Sequence, residues 1–356
     1  MQKRLFIPGP IDVSEDVLEE MVKQMIAHRS KDASRLQRNI SKKLQKLFYT
    51  KEEIILSTSS GSGLMEGAVR SCTRKKAAIF SSGAFGERWH KIALSNNIPV
   101  DKFIVEEGKV ITAEIVERAL ESEEYDLITL THNETSTGAM TPLEDISKLL
   151  EKYPDIVWCL DTVSSMGGSK IEVDKLGIDI CITSTQKAMG LPPGLAVASM
   201  SKKAVEAARQ VEHRGSYFDL LALYEYIQKK DHQYPTTPAL TLMYAMDYQL
   251  DKILEEGLDN RYKRHKEMAK YVQDWARDKF ELFAEEEYLS NTITAIRNTR
   301  RIDIGKLNEE LGKKGYLISN GYGKFKDETF RISHMGDYTL DDIKGLLNTI
   351  NTILEI

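Results

Sequence analysis

The chain has 356 residues, of which 41% are hydrophobic and 29% charged, and its formal net charge is −5. This length predicts roughly two domains with a sizeable core, and the composition excludes a disordered or fibrous protein. The mild negative charge also speaks against nucleic-acid binding, because phosphate recognition needs a concentrated basic surface.

Cysteine usage and hydropathy indicate the compartment. The three cysteines are too few for a disulfide framework, and each lies in or beside an apolar stretch, which predicts buried thiols. No stretch approaches the ~18 apolar residues of a membrane span, and the N-terminus lacks the apolar run of a signal peptide. The simplest interpretation is a protein of the reduced cytoplasm that binds no membrane.

The first two thirds of the chain alternate between helical and strand-like segments. An extended arm around residues 8–10 precedes helices predicted over 14–26 and 33–47. Six short, nearly unbroken apolar runs follow, which is typical of strands buried on both faces of a mostly parallel sheet. The six runs cover residues 53–57, 77–81, 125–131, 156–161, 178–183 and 195–199.

The pattern changes near residue 240. Two long helices are predicted over 240–257 and 258–279, followed by strands near 291–297 and 329–333 and a terminal helix from Thr339. We therefore predict an N-terminal arm (1–14), a large α/β domain (15–255) and a small C-terminal α+β domain (256–356).

Polar clusters follow three of the apolar runs. The run at 125–131 leads into THNETSTG (131–138). The run at 156–161 ends at Asp161 and leads into TVSS, and the run at 178–183 leads into STQK, which ends at Lys187. Ligands of open α/β sheets bind beyond the carboxyl ends of the strands. These clusters are therefore expected to converge although they are far apart in sequence.

A glycine- and serine-rich loop, TSSGSG (58–63), lies between a predicted strand and a predicted helix. Such a loop points backbone N–H groups at an anion, most often phosphate. An ordinary turn with a serine cap explains this segment equally well. The glycine spacing differs from GxGxxG, and the loop lacks the lysine of a Walker-type P-loop.

Asp161 and Lys187 each allow two interpretations. Asp161 is either a cap or turn residue or a fixed negative charge for a cationic ring nitrogen or a metal. No third ligand accompanies His132 and Asp161 at a useful spacing, so we predict no metal. Lys187 is either a surface lysine or an amine able to form a Schiff base, since apolar surroundings depress its pKa.

Several further motifs follow one another along the chain: IPGPIDVSEDVLEEM with HRS, THNETSTG, DTVSSMGG, TSTQKAMGLPPGLA, YPTTPALTLMYA and FRISHMGD. Together they resemble the class V aminotransferases, pyridoxal 5′-phosphate (PLP) enzymes of fold type I, and most of all the alanine–glyoxylate and serine–pyruvate branch. The resemblance implies a mostly parallel seven-stranded sheet between helices, with a smaller C-terminal α+β domain.

The resemblance also assigns roles around the ring of PLP. It implies that Lys187 forms the Schiff base and that Asp161 pairs with the pyridinium nitrogen and keeps it protonated. Phe85 would stack on the ring, and Thr135 would lie beside the ring's 3-oxygen.

Further roles concern the phosphate and the substrate. Ser60, Gly61 and Ser62 are implied to bind the phosphate, with the help of Gln186. Tyr234 and Thr237 resemble a pair that reaches the phosphate of a neighbouring subunit, which implies a homodimer. Gly9 would line the substrate pocket, and Arg331 would bind the substrate carboxylate through its planar fork. Without the motifs, Arg331 would be interpreted as a surface strand residue and Tyr234 as a core aromatic. His28 and His132 are interpreted as structural residues or as residues that support the catalytic groups, and not as catalytic residues.

The implied reaction is transfer of an amino group from a small amino acid (alanine, serine or glycine) to glyoxylate or pyruvate. Ureidoglycine–glyoxylate, phosphoserine and 2-aminoethylphosphonate specificities stay open. A cysteine desulfurase-like lyase is disfavoured, since Gln186 precedes the lysine and no cysteine follows Cys181. A non-catalytic nucleotide-binding α/β protein is the alternative from another class.

Overall fold

A computed structural model describes residues 3–121 and 124–356 of the chain. In these residues the strands form a seven-stranded sheet, a five-stranded sheet and a two-stranded hairpin. Helices cover both faces of the larger sheet and also pack against the smaller one.

The elements are numbered in chain order. The strands are β1 (Arg4–Phe6), β2 (Glu53–Ser57), β3 (Ala77–Ser81), β4 (Val100–Ile104), β5 (Leu127–Thr131), β6 (Asn133–Glu134), β7 (Ala139–Met140), β8 (Val157–Asp161), β9 (Ile180–Ser184), β10 (Ala196–Met200), β11 (Glu281–Leu282), β12 (Ile293–Arg297), β13 (Tyr316–Asn320) and β14 (Thr329–Ser333). The α-helices are α1 (Glu15–Glu20), α2 (Lys31–Phe48), α3 (Gly61–Cys72), α4 (Ala84–Ser95), α5 (Ala113–Leu120), α6 (Glu144–Leu150), α7 (Val173–Leu176), α8 (Lys202–Arg209), α9 (Leu220–Lys229), α10 (Leu240–Glu256), α11 (Leu258–Lys279), α12 (Ile304–Lys313) and α13 (Leu340–Leu354). Short 3₁₀ helices cover Glu286–Tyr288 and Gly323–Phe325.

The larger sheet has the strand order β2-β10-β9-β8-β5-β3-β4. The five strands from β9 to β4 pair in parallel, and β10 runs antiparallel to both of its neighbours. The prediction of a mostly parallel seven-stranded sheet is therefore confirmed.

The central strand β8 shows why its sequence is an unbroken apolar run. Trp158 and Leu160 pack on the side of α2, α6 and α10, whereas Val157 and Cys159 pack on the side of α3, α8 and α9. Since both faces of the sheet are covered by helices, all five positions of the strand are buried and the first four are apolar.

The structure contains one edge strand that was not predicted, and one predicted helix is shorter than expected. The strand β4 was not predicted, because it lies at the sheet edge and its sequence VDKFI mixes polar and apolar residues that are only partly covered. The helix predicted over 14–26 ends at Glu20. Val22 and Met25 beyond it are 83% and 56% exposed, so no tertiary packing sustains further helical turns.

The smaller sheet has the strand order β1-β13-β14-β12-β11. Strand β1 belongs to the predicted N-terminal arm and pairs in parallel with β13, a strand that the sequence analysis did not predict. Residues of α11, α12 and α13 share a hydrophobic core with this sheet. The proposed boundaries of the arm and of the two domains remain predictions.

The predicted burial of the thiols is confirmed. Cys72, Cys159 and Cys181 are free and buried, and burial raises the pKa of Cys181 to about 12. Across residues 3–121 and 124–356, none of the helices combines the length and apolar character needed to cross a bilayer.

Candidate active site

Six strands of the larger sheet end at one common edge, because all of its strands except β10 run in the same direction. A cavity of about 80 Å³ at this edge is lined by residues that the sequence analysis selected. They include Ser60, Gly61, Ser62, Phe85, Asp161, Gln186 and Lys187. The clusters after β8 and β9 and the glycine-rich loop thus meet at this cavity. The cluster at 131–138 contacts the one after β8 through hydrogen bonds of His132 with Ser165 and of Asn133 with Ser164.

Helix α3 begins at this cavity, with Ser60 as its extended N-cap residue. The Ser60 side chain makes no capping hydrogen bond, so the simple capped-turn interpretation does not describe this loop. A Cβ atom on Gly61 would lie 2.6 Å from Cγ2 of Val163, so the first turn packs directly against the loop after β8. The free N–H groups of this turn, together with the helix dipole, form a site for an anion.

Asp161 is the last residue of β8 and is 3% exposed. Its Oδ1 accepts a hydrogen bond of 2.8 Å from the N–H of Val163. Burial raises the pKa of the carboxyl to about 6, while the Val163 N–H and the Lys187 charge act in the opposite direction. Near neutral pH the carboxylate is therefore ionised and can hold a cationic group.

Lys187 lies in the loop after β9 and is 8% exposed. Burial lowers the pKa of its amine to about 8; the Asp161 charge opposes this effect and the Arg331 charge adds to it. Gly9 packs against the lysine: a Cβ there would lie 3.3 Å from Cγ of Lys187, and its φ of +118° favours glycine. The result is a buried amine that is easily deprotonated.

Phe85 occupies the first turn of α4, and its ring centroid is 5.2 Å from Nζ of Lys187. The helix N-terminus that carries it is bound by Glu134, a fully buried carboxylate that the sequence analysis missed. Oε2 of Glu134 accepts hydrogen bonds from the N–H groups of Phe85 (2.9 Å) and Gly86 (3.3 Å). Oε1 accepts from the N–H (3.0 Å) and hydroxyl (2.6 Å) of Ser136. The only signal for this role was a carboxylate inside the THNETSTG motif.

Replacing Glu134 with glutamine is expected to destabilise the protein by about 1–3 kcal/mol. The amide NH₂ would face N–H donors in place of an oxygen, leaving buried donors unsatisfied. The shift of the urea unfolding midpoint measures the loss. Glu144→Gln, at an exposed carboxylate in the first turn of α6, is the matched control and should change stability by less than about 0.5 kcal/mol. Equal effects of the two substitutions would contradict this role of Glu134.

Arg331 reaches the site from β14 of the smaller sheet and is 5% exposed. Its donors bind the Thr135 carbonyl (3.1 Å), the Asn320 carbonyl (3.1 and 3.2 Å) and the Ser319 hydroxyl (2.8 Å). No carboxylate in the described residues forms an ion pair with it, and burial lowers its pKa to about 10. An uncompensated buried guanidinium is costly unless an anionic ligand neutralises it.

A second cavity of about 380 Å³ connects Arg331 with Lys187. Gly9, Phe85, Asn320 and Tyr322 are also among its lining residues. A molecule that binds Arg331 through a carboxylate can therefore present its adjacent atoms to the Lys187 amine.

Several buried polar atoms near the strand ends lack a hydrogen-bond partner in the described part of the chain, among them Oγ1 of Thr135, Oγ of Ser184 and Oε1 of Gln186. The sequence analysis had selected Thr135 and Gln186 but not Ser184. Ser184 and Gln186 line the cavity of about 80 Å³, so their unpartnered oxygens can serve a polar ligand there.

Tyr234 and Thr237 are placed differently from one another. Tyr234 is buried, and its hydroxyl accepts a hydrogen bond of 3.2 Å from the N–H of Thr58 in its own chain. Thr237 is exposed at the surface. Tyr234 therefore supports the loop before Ser60 from within one subunit, and a role across a subunit interface stays a prediction.

His132 is buried, and its Nδ1 lies 2.8 Å from the Ser165 hydroxyl. Burial lowers its pKa to about 4, so the imidazole is neutral. Among the residues that the structure describes, no cluster of His, Cys, Asp or Glu could hold a metal ion.

Known proteins resemble this chain over most of its length. The sequence model of the family described as aminotransferase class V matches residues 13–324. An uncharacterised aminotransferase of Methanocaldococcus jannaschii is 37% identical over 94% of this chain and 88% of its own length. Serine–glyoxylate aminotransferase of Arabidopsis thaliana is 29% identical over 99% of this chain and 90% of its own. The crystal structure of an alanine–glyoxylate aminotransferase from Nostoc sp. superposes with a TM-score of 0.93 at 26% identity, covering 99% of this chain and 96% of that one.

Proposed function

The chain belongs to the class V aminotransferases, and we propose that it moves the amino group of a small amino acid, such as alanine, serine or glycine, to glyoxylate or pyruvate. The observation that carries this proposal is the buried guanidinium of Arg331, which forms no ion pair with any residue that the structure describes, on the cavity that also holds Lys187. The relatives support the choice of substrates, since their names specify serine or alanine with glyoxylate.

The residues of the site fit pyridoxal 5′-phosphate, the cofactor of this family. The N-terminus of α3 suits a phosphate, the ionised Asp161 suits a protonated ring nitrogen, and Phe85 offers an aromatic face. The unpartnered atoms of Thr135, Ser184 and Gln186 offer further polar contacts.

When bound, the cofactor supplies an electron-withdrawing ring that stabilises negative charge at the substrate Cα. We assign the other tasks to the chain. Asp161 keeps a proton on the ring nitrogen, Phe85 shields one ring face from water, and Ser60, Gly61, Ser62 and Gln186 bind the phosphate. Arg331 orients the substrate carboxylate, and Gly9 leaves room for the substrate next to Lys187. Lys187 Nζ, in its neutral form, would remove the proton from the substrate Cα and, as general acid, deliver it to C4′ of the cofactor.

A panel of amino donors against glyoxylate and pyruvate, scored by kcat/KM, tests the substrate proposal. Alanine, serine or glycine is expected to give the highest value. A preference for phosphoserine, or release of sulfide from cysteine, would contradict it. The buried position of all three thiols supports transamination over a desulfurase-like reaction.

Binding of the cofactor to the cofactor-free protein is expected to depend on pH through Lys187. Only the neutral amine forms the covalent bond. At pH values below the lysine's pKa, the fraction of neutral amine therefore rises about tenfold per pH unit, and the rate of covalent attachment rises with it. With a pKa of about 8, the rate should level off above that pH, whereas an ordinary lysine amine would keep gaining to about pH 10.4. Stopped-flow absorbance measures the rate, and a continued rise to pH 10 would contradict the lowered pKa.

We propose further that the enzyme is a homodimer in which Tyr234 and Thr237 approach the phosphate site of the neighbouring subunit. The exposed position of Thr237 and the exposed apolar side chains of Leu18, Val22 and Met25 support an interface. Light scattering that finds a single-chain mass would contradict it.

A cytoplasmic location completes the proposal. Its support is the set of three free, buried thiols, which is typical of a reducing compartment. Fractionation of the source cells with an antibody against the protein tests it, and recovery outside the cytoplasm would contradict it.

A further inference from the structure

A third cavity, of about 590 Å³, adjoins the proposed substrate site. We refer to it as the outer cavity. It is formed by the start of α4, the loop after β4 and the segment between β13 and β14, and its lining includes Glu87, Arg88, Lys91, Glu107, Tyr322 and Lys324. Neither the residues assigned to the cofactor nor the proposed substrate contacts account for a cavity of this size.

The side chain of Tyr322 lies between the outer cavity and the proposed substrate site. It lines both the outer cavity and the cavity that holds Arg331 and Lys187. Its ring centroid is 5.9 Å from that of Phe85 and 5.6 Å from Cζ of Arg331. The ring therefore spans the gap between the proposed cofactor face and the proposed carboxylate site. Tyr322 therefore borders both the space beside Arg331 and the outer cavity.

Both carboxylates that line the outer cavity are paired with lysines, whereas two of its cationic side chains have no carboxylate partner among the described residues. Glu87 is paired with Lys102 (2.8 Å), and Glu107 is paired with Lys324. Lys91 forms no ion pair with any described residue, and the only hydrogen bond of the Arg88 side chain goes to the Ser62 hydroxyl (3.1 Å). Two cations without a carboxylate partner thus line the space behind Tyr322, which suits the distal anionic group of a ligand.

We propose that Tyr322 determines donor specificity by closing this cationic extension of the substrate site, and that the donors it excludes are dicarboxylic amino acids. This inference rests on the proposed function. A small donor fits between Arg331, Phe85 and the Tyr322 ring. The side-chain carboxylate of glutamate would have to occupy the position of the ring before it could approach Lys91 and Arg88.

The test compares Tyr322→Ala with Tyr322→Phe in the PLP-loaded enzyme, using L-glutamate and L-alanine as donors and glyoxylate as acceptor. In the alanine variant the ratio of kcat/KM for glutamate to that for alanine is expected to rise by about tenfold or more. The phenylalanine variant retains the ring and should keep the wild-type ratio. Adding Lys91→Ala to Tyr322→Ala should remove much of the gain for glutamate without changing the turnover of alanine.

Binding of unreactive acids provides a readout that does not depend on turnover. Calorimetry should show that Tyr322→Ala binds glutarate more tightly than the wild type does, with little change for propionate. A wild type that already uses glutamate as well as alanine, or a Tyr322→Ala variant with an unchanged ratio and unchanged glutarate binding, would overturn the inference. A wild type that transfers no amino group from any small donor would instead contradict the proposed function.

Discussion

Replacing Lys187 with alanine is expected to lower kcat for amino transfer by about 10²- to 10⁴-fold, the usual contribution of a positioned acid–base group. In the described residues its Nζ makes no hydrogen bond, and burial lowers the pKa of the amine to about 8. Since Asp161 and Arg331 are held by other elements, no neighbouring base is placed to take over the proton transfer. Borohydride treatment should also no longer fix the cofactor to the chain.

Two further variants separate this role from simple charge or packing. Lys187→Arg keeps the positive charge but cannot lose its proton, so it should be as inactive as the alanine variant. Lys202→Ala changes an exposed lysine in the first turn of α8 and should leave kcat unchanged. Retention of wild-type turnover within tenfold by Lys187→Ala would refute the assignment.

Replacing Arg261 with methionine is expected to reduce the free energy of unfolding by about 3–5 kcal/mol, as for the loss of one partner of a buried ion pair. Arg261 is 2% exposed and donates to the carbonyl groups of Gly167 and Ala188, each at 2.9 Å. It also pairs with Glu256 (2.8 Å) and Asp337 (3.1 Å). Methionine fills a similar volume but satisfies none of these acceptors.

This variant should also affect catalysis, because Ala188 follows Lys187 directly and loses the donor to its carbonyl. The urea midpoint and kcat are the measurements. Arg35→Met is the matched control, since Arg35 pairs with Asp32 at the surface and such pairs contribute about 0–1 kcal/mol. A stability loss of less than about 1 kcal/mol for Arg261→Met would show that the network is dispensable.

Much of the larger sheet was predictable because its strands are buried on both faces. The predicted runs at 53–57 and 77–81 coincide with β2 and β3, and the other four differ from their strands by one or two residues at an end. The edge strand β4 and the N-terminal strand β1 were missed. Strand β1 has only three residues, and β4 mixes polar and apolar residues at the sheet edge. The positions of both are set by pairing with distant strands, which local sequence does not encode.

The sequence by itself determined the chemistry available at the strand ends. It identified an aspartate after one buried strand, a lysine after another and a glycine-rich loop before a helix, because each is a local pattern of apolar runs and polar residues. The motifs added Arg331, which no local pattern distinguishes from a surface residue.

Only the tertiary structure decided how these groups are charged and compensated. Among residues 3–121 and 124–356 it gave Arg331 no carboxylate partner. It also bound Glu134 to the N-terminus of the helix that carries Phe85 and placed Tyr322 between two cavities. Burial, pairing and pKa depend on contacts between residues that are distant in the chain. A sequence pattern can therefore name the reacting groups, but the fold sets their protonation and the space around them.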